Sequence, residues 1–267
     1  MGYYNRFSIP GANPIQVSRY LAIGATIMTV YIIRRSVFYN ISNFLILLAL
    51  LLAIIATGSR GPLISIFLGI LCYAYLFEKQ HKKRMYLYVS FAIIIAFSLL
   101  IILPEIITKR FFDITQGAVL LTPEGVKHVS TVATRLDYWQ MSIESWFSSL
   151  WNNLLGLGAG GFSSLFIWRD WRWYPHNVFF EVLVEYGSIG IIIFISFLII
   201  SYKKISEGLV EGIFTDHSAV WVAVTLVMFF SAQFSGDIND NRVLWMLIGI
   251  TIASTHVDQV KNIKVVP

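Results

Sequence analysis

Apolar residues run along this chain in long blocks separated by short breaks that carry lysine and arginine, and that alternation predicts the architecture. A helix that crosses the roughly 30 Å hydrocarbon layer of a membrane needs about 20 mostly apolar residues. Stretches near that length lie at Val17–Ile33, Ile41–Thr57, Pro62–Phe77, Tyr86–Leu103, Tyr186–Tyr202, Ser218–Phe234 and Val243–Val257. The pattern predicts an all-α, polytopic membrane protein with about seven transmembrane helices, a single membrane domain over residues 1–267.

The breaks assign an orientation. Arg34-Arg35, the group Lys79, Lys82, Lys83 and Arg84, the pair Lys203-Lys204, and Lys261 with Lys264 fall in alternate loops, and cationic loops favour the cytoplasm. Gly58–Gly61, the long stretch 104–185 and Ser235–Arg242 are then expected outside, as is the N-terminus. No short apolar leader with a cleavage site opens the chain. An outside N-terminus without such a leader leads us to expect that the chain is the C-terminal part of a larger membrane domain.

Composition agrees with a membrane setting. Of the 267 residues 57% are hydrophobic and 13% charged, with a mean hydropathy of +0.69, against about 25% charged in a soluble domain. The net charge of +5 sits in clusters between apolar runs, where it sets topology, so nucleic acid is not an expected partner. The single cysteine, Cys72, lies within an apolar run and excludes an intrachain disulfide framework or a cysteine-based metal cluster.

The long outer segment is rich in aromatic residues. Trp139, Ile143, Trp146 and Leu150 recur at helical spacing, with Thr134 as a potential N-cap and Asp137 three residues on. With Trp168, Trp171 and Trp173 following, this reads as an amphipathic helix lying along the outer membrane surface, the alternative being a small soluble cap packed on itself.

Ionisable residues avoid the span centres, where a carrier would need them. They gather at outer ends: Arg60, Arg135, His176, Glu181, Glu185, Asp237, Asp240 and Arg242. Arg60 stands in Thr57-Gly58-Ser59-Arg60-Gly61-Pro62, and a helix N-terminus with a fixed guanidinium beside it suits an anion. Arg135 follows the expected cap Thr134. His176, between Pro175 and Asn177, can take a proton from a hydroxyl near neutral pH. Each of these also has a plain structural reading, as a snorkelling arginine, a solvated charge or a packed histidine. Together they suit a multiply charged leaving group such as a pyrophosphate. Gly156-Leu157-Gly158-Ala159-Gly160-Gly161 has the spelling of a dinucleotide loop, but no strand precedes it, so the glycines are expected to serve sharp turns or close approach to a bulky ligand. Asp237 and Asp240 are the tight acidic pair, and Asn239 and Asn241 beside them suit an ordinary loop, so no metal is expected.

Four segments, in order around one large outer loop, carry a resemblance: Gly58-Ser59-Arg60-Gly61, Thr134-Arg135-Leu136-Asp137-Tyr138-Trp139, Leu154-Leu155-Gly156-Leu157-Gly158 with Gly161-Phe162, and Pro175-His176-Asn177 leading to Glu185-Tyr186-Gly187. The set resembles the O-antigen ligase and polymerase family of bacterial membrane glycosyltransferases. The resemblance implies an undecaprenyl-pyrophosphate-linked glycan donor and a glycan or lipid acceptor. It further implies an inverting, metal- and cofactor-independent transfer on the periplasmic face of the inner membrane, in surface polysaccharide (lipopolysaccharide) biosynthesis. Carried onto this chain, it makes Arg60 and Arg135 the pyrophosphate ligands and His176 the residue that contacts or deprotonates the acceptor. Ser59, Gly158, Asn177 and Glu185 become the remaining candidate substrate contacts. The competing class is a transporter or flippase of lipid-linked glycans.

Overall fold

The computed structural model describes residues 9–10, 12–34, 41–78, 83, 86, 90, 94, 98, 101, 118–122, 125–129, 131–166, 173–208 and 215–263. In chain order its elements are α1 (Pro14–Arg34), α2 (Ile41–Ala56), α3 (Arg60–Leu76), β1 (Ala118–Thr122), β2 (Gly125–Val129), α4 (Thr131–Phe147), α5 (Leu150–Leu155), a 3-10 turn (Gly161–Leu165), α6 (Val178–Glu207), α7 (Asp216–Ser231) and α8 (Arg242–Ile263). The fold is predominantly α-helical, as expected, and α1, α2, α3, α6, α7 and α8 coincide with expected spans. The expected span Tyr86–Leu103 lies outside the described residues apart from isolated positions.

The expected count of about seven crossings is not matched by helix length. Among the described residues 2 helices, Pro14–Arg34 and Val178–Glu207, are long and apolar enough to cross a membrane. Helices α2, α3 and α7 are apolar but have 16, 17 and 16 residues. At about 1.5 Å per residue they fall short of the full hydrocarbon layer.

The chain divides into two compact units. The first comprises Met1–Lys109, Ser201–Ser231 and Val243–Pro267. Its described helices begin with clear signals: Pro14 occupies the first turn of α1, and Asn13 Oδ1 accepts the Ile15 amide at 2.9 Å. Helices α1 and α3 both pack on α7, and α2 packs on α1. Small residues allow the approach, since a Cβ at Gly69 of α3 would lie 2.5 Å from Val227 Cγ2 and 2.7 Å from the Val227 backbone. Arg34, which the loop pattern treats as a cytoplasmic surface charge, is instead buried at one end of this bundle. Its Nε donates to Asp216 Oδ1 at 2.9 Å and its Nη1 to Glu78 Oε2 at 2.6 Å, while the Tyr73 hydroxyl donates to the same Glu78 oxygen at 2.8 Å. The C-terminal ends of α1 and α3 therefore share an end with the start of α7, and the N-terminal ends of α1 and α3 lie at the other. Polar side chains also join α7 to α8, through Thr225 and Thr251 at 2.7 Å and through Thr215 and Ser218 on Asp258.

The second unit comprises Arg110–Ile200 and Ala232–Arg242. It adds a feature the hydrophobic pattern did not predict, the antiparallel hairpin β1-β2, with Ala118 opposite Val129 and Thr122 opposite Gly125. Helix α4 starts at Thr131, three residues earlier than the Thr134 cap reading, so Thr134 and Arg135 sit inside the helix rather than at its boundary. It stops at Phe147, and Ser149 caps α5 by accepting the Asn152 amide at 3.1 Å.

Two members of the expected stripe, Trp139 and Trp146, do not face outward. Trp139 Nε1 donates to the Pro175 carbonyl at 3.0 Å, and Trp146 Nε1 donates to the Asn153 carbonyl at 2.9 Å, so both indoles turn inward. Trp168 and Trp171 lie outside the described residues. The exposed apolar face is made instead by Leu136, Ile143 and Phe147 of α4 and by Leu150, Trp151 and Leu155 of α5. Trp151 is 70% exposed, and with Ile143 and Leu150, which belong to the expected stripe, it leaves this face suited to a lipid boundary.

Candidate functional site

The site in the second unit grows from a break in α6. At Gly187 the backbone leaves helical geometry with φ 63 and ψ −161, dividing α6 into two helical segments. Carbonyls just before such a break lose their partners one turn on. The glycine run supplies replacements: the Leu157 amide donates to the Val184 carbonyl at 2.9 Å and the Gly158 amide to the Glu185 carbonyl at 2.8 Å. The Glu185 carboxylate in turn accepts the amides of Gly160 and Phe162. The run 156–161 thus serves close backbone approach, and what it approaches is the α6 backbone rather than the bulky ligand expected from sequence. Gly158, at φ 87, has no heavy atom within 4 Å of the place a Cβ would take.

Phe162 and Tyr138 are buried in an aromatic cluster with Phe166 and Trp173. Tyr138 meets Phe162, Phe166 and Trp173 edge-on at 5.5, 5.4 and 5.9 Å between ring centres. Its remaining face meets His176, with ring centres 6.3 Å apart and planes 6° from parallel. Tyr174 closes on the same imidazole edge-on at 4.3 Å.

His176 is the non-glycine residue found at positive φ, 60°, among the described residues. That conformation is uncommon for a side chain with a Cβ and marks a turn held by its surroundings. The holders are identifiable. Trp139 fixes the Pro175 carbonyl and stacks on Phe180 at 5.1 Å, Tyr138 faces the imidazole, and Asn177 caps α6 by accepting the amides of Phe179 at 2.9 Å and Phe180 at 3.3 Å. Asn177 Nδ2 also donates to the Gln233 carbonyl at 3.4 Å. Its side chain is committed to the fold of the turn that presents His176.

Burial, and then the positive charge of Arg135, push the His176 pKa down to about 4. The imidazole is therefore neutral at physiological pH. Its Nδ1 is buried without a hydrogen-bond partner. Burial, and then the charge of Asp137, push Tyr138 up to about 12, so its hydroxyl keeps its proton, and that hydroxyl too has no partner. Burial raises Tyr174 as well, with Asp240 and Asp237 adding to it, against hydrogen bonds to Ser235 and the Gly236 backbone.

The loop 232–242 is held by α6 and by bonds of its own. Glu181 Oε1 accepts the Ile238 amide at 3.0 Å, Asp237 Oδ1 accepts the Asp240 amide at 2.7 Å, and Asn241 Nδ2 donates to the Asp237 carbonyl at 2.8 Å.

Of the residues singled out from sequence, the structure brings His176 and Arg135 into electrostatic contact and joins Glu185 to Gly158 through backbone. Ser59 and Arg60 belong to the first unit. There Gly58, at φ 65, ends α2, Ser59 precedes α3 and Arg60 is its first residue, at the bundle end opposite the Arg34 cluster. Sequence reasoning missed Arg19, which is 4% exposed in the N-terminal half of α1, towards the same end as Arg60. It also missed Tyr138, whose signal was available only as a neighbour of Trp139 in a recognised segment.

The family model described as O-antigen ligase matches residues 45–195, more than half of the chain. The chain belongs to the O-antigen ligase family. That family gives it a membrane setting and a glycosyl-transferring role in polysaccharide biosynthesis. No curated protein and no solved structure matches the chain.

Proposed function

We propose that this protein is a multi-pass enzyme of the bacterial inner membrane that transfers a glycan from undecaprenyl pyrophosphate to a hydroxyl acceptor on the periplasmic face. The observation that carries the reading is the neutral, half-buried His176, whose buried Nδ1 is unused, close enough to the permanent charge of Arg135 to be depressed by it. One group suits an alcohol and the other suits an anion.

In the proposed reaction the acceptor O–H donates to His176 Nδ1. Its oxygen attacks the anomeric carbon from the face opposite the pyrophosphate, a C–O bond forms with inversion, and the anomeric C–O bond to phosphate breaks with its electron pair leaving on the pyrophosphate. Arg135 and Arg60 offset the charge that develops there, so the cationic help comes from side chains. An imidazole of such low proton affinity is a weak base for the free alcohol. It orients the hydroxyl first and takes the proton as the forming C–O bond makes that hydroxyl acidic. Ser59, Gly158, Asn177 and Glu185 are proposed around the substrates, Asn177 and Glu185 through the backbone they hold in place.

The test is replacement of Arg60, Arg135 and His176 one at a time in a strain lacking the native copy, with surface glycan resolved on gels. Loss of the polymer ladder at matched protein level is expected for each. A full ladder from His176→Asn would remove the histidine from the mechanism.

A further inference from the structure

Tyr138 is 3% exposed, and its hydroxyl is buried without a hydrogen-bond partner. Such a group costs stability, because it gives up water and receives nothing in exchange. Its ring is nearly parallel to that of His176, at 6.3 Å between centres, and the imidazole carries another buried atom without a hydrogen-bond partner, Nδ1. Neither Phe162, Phe166 nor Trp173 around Tyr138 offers a polar group through its ring contact except the indole N–H of Trp173. A hydroxyl that can donate and a nitrogen that can accept are carried on two facing rings, both buried and both without a partner, an arrangement that suits one oxygen bridging them.

We propose that Tyr138 contacts substrate: its hydroxyl donates a hydrogen bond to the acceptor oxygen whose own O–H is taken by His176 Nδ1. The pair then selects an alcohol. An alcohol oxygen accepts from the tyrosine and donates to the imidazole at the same time, whereas a protonated amine offers no lone pair to Tyr138. The donated bond turns the oxygen lone pair that remains toward the donor sugar. This rests on the reading of His176 as the acceptor-binding residue.

Tyr138→Phe keeps the ring and its stacking and removes only the partnerless oxygen. A structural role and a substrate-binding role then give different outcomes. Cells lacking the native copy would express wild type, Tyr138→Phe or His176→Asn at matched levels, and incorporation of a pulse of radiolabelled sugar into surface glycan would be measured alongside the melting temperature of each purified protein. The expected result for Tyr138→Phe is an unchanged or raised melting temperature with incorporation lowered about threefold to tenfold, the worth of one hydrogen bond. Normal incorporation by Tyr138→Phe while His176→Asn is inactive would overturn the role of Tyr138 and leave His176 standing. A lowered melting temperature with a proportionate loss of incorporation would reduce Tyr138 to a packing residue and also overturn it. Normal incorporation by both variants would remove the His176 reading as well.

Discussion

Gly156 and Gly187 face one another so closely that neither tolerates a side chain. A Cβ on Gly187 would lie 2.7 Å from the Gly156 nitrogen and 2.5 Å from the Leu154 carbonyl carbon, and a Cβ on Gly156 would lie 2.4 Å from the Glu185 carbonyl carbon. Both glycines are at positive φ, 74° and 63°. The loop after α5 and the break in α6 are thus one structure, which fixes Glu185 and the aromatic cluster beneath His176.

Alanine at either position should therefore be severely destabilising. Positive φ alone costs a residue with a Cβ about 1–2 kcal/mol, and contacts of this closeness with backbone, which cannot rotate aside, add to it. We expect Gly187→Ala and Gly156→Ala each to lose roughly 3 kcal/mol or more. Gly158→Ala, where the space is open, should lose only about 1 kcal/mol. Thermal melting of the detergent-purified variants checks the ranking.

The Arg34 cluster gives a second expectation. The Arg34 and Glu78 side chains are 7% and 2% exposed, and the Asp216 side chain 30%. Removing one member of a buried pair strands the other, at a cost of about 3–5 kcal/mol. Glu78→Gln should fall towards the lower end of that range, since Tyr73 and Arg34 can still bond its amide oxygen, and Arg34→Met towards the upper end. Melting temperatures again decide, with Asp216→Asn expected to be the mildest of the three.

For His176 the sign of the pH effect follows from its lowered pKa. The unfolded chain binds this proton near pH 6.5 and the folded protein only near pH 4. The histidine therefore costs no stability above about pH 7, and folded stability falls as pH drops from about 6.5 towards 4. His176→Asn, which tolerates positive φ, should lose less stability than wild type over that window and match it at pH 8. Melting temperature against pH measures the difference.

Arg135 supplies part of that depression. Arg135→Met should raise the His176 pKa, and inorganic pyrophosphate added to wild type should raise it too by placing negative charge against the guanidinium. Nitrogen-15 chemical shifts of labelled histidine follow the titration. An unmoved His176 in Arg135→Met would show that the two charges are not coupled.

The helices were legible because run length and apolar content survive in sequence whatever the tertiary packing. The glycine run was legible as something other than a dinucleotide loop because no strand precedes it, but what it approaches is the α6 backbone and not the expected bulky ligand, a pairing made only on folding. The inward turn of Trp139 and Trp146 was not, since one helical period serves a lipid-facing and a protein-facing stripe equally. Nor was the burial of Arg34: its partner Asp216 is 182 positions away, and local pattern carries no record of such a pair. Tyr138 was hidden for the same reason. Its meaning comes from a ring that it meets only once the chain folds.

The central claim is that His176 handles the acceptor while the arginines handle the diphosphate, and the membrane pool of undecaprenyl-pyrophosphate-linked glycan tests it most directly. That pool would be quantified by mass spectrometry in cells expressing wild type or His176→Asn as the sole copy. The expected result is accumulation of the lipid-linked glycan in the variant together with loss of surface polymer. A donor pool equal to that of wild type, with surface polymer undiminished, would contradict the claim.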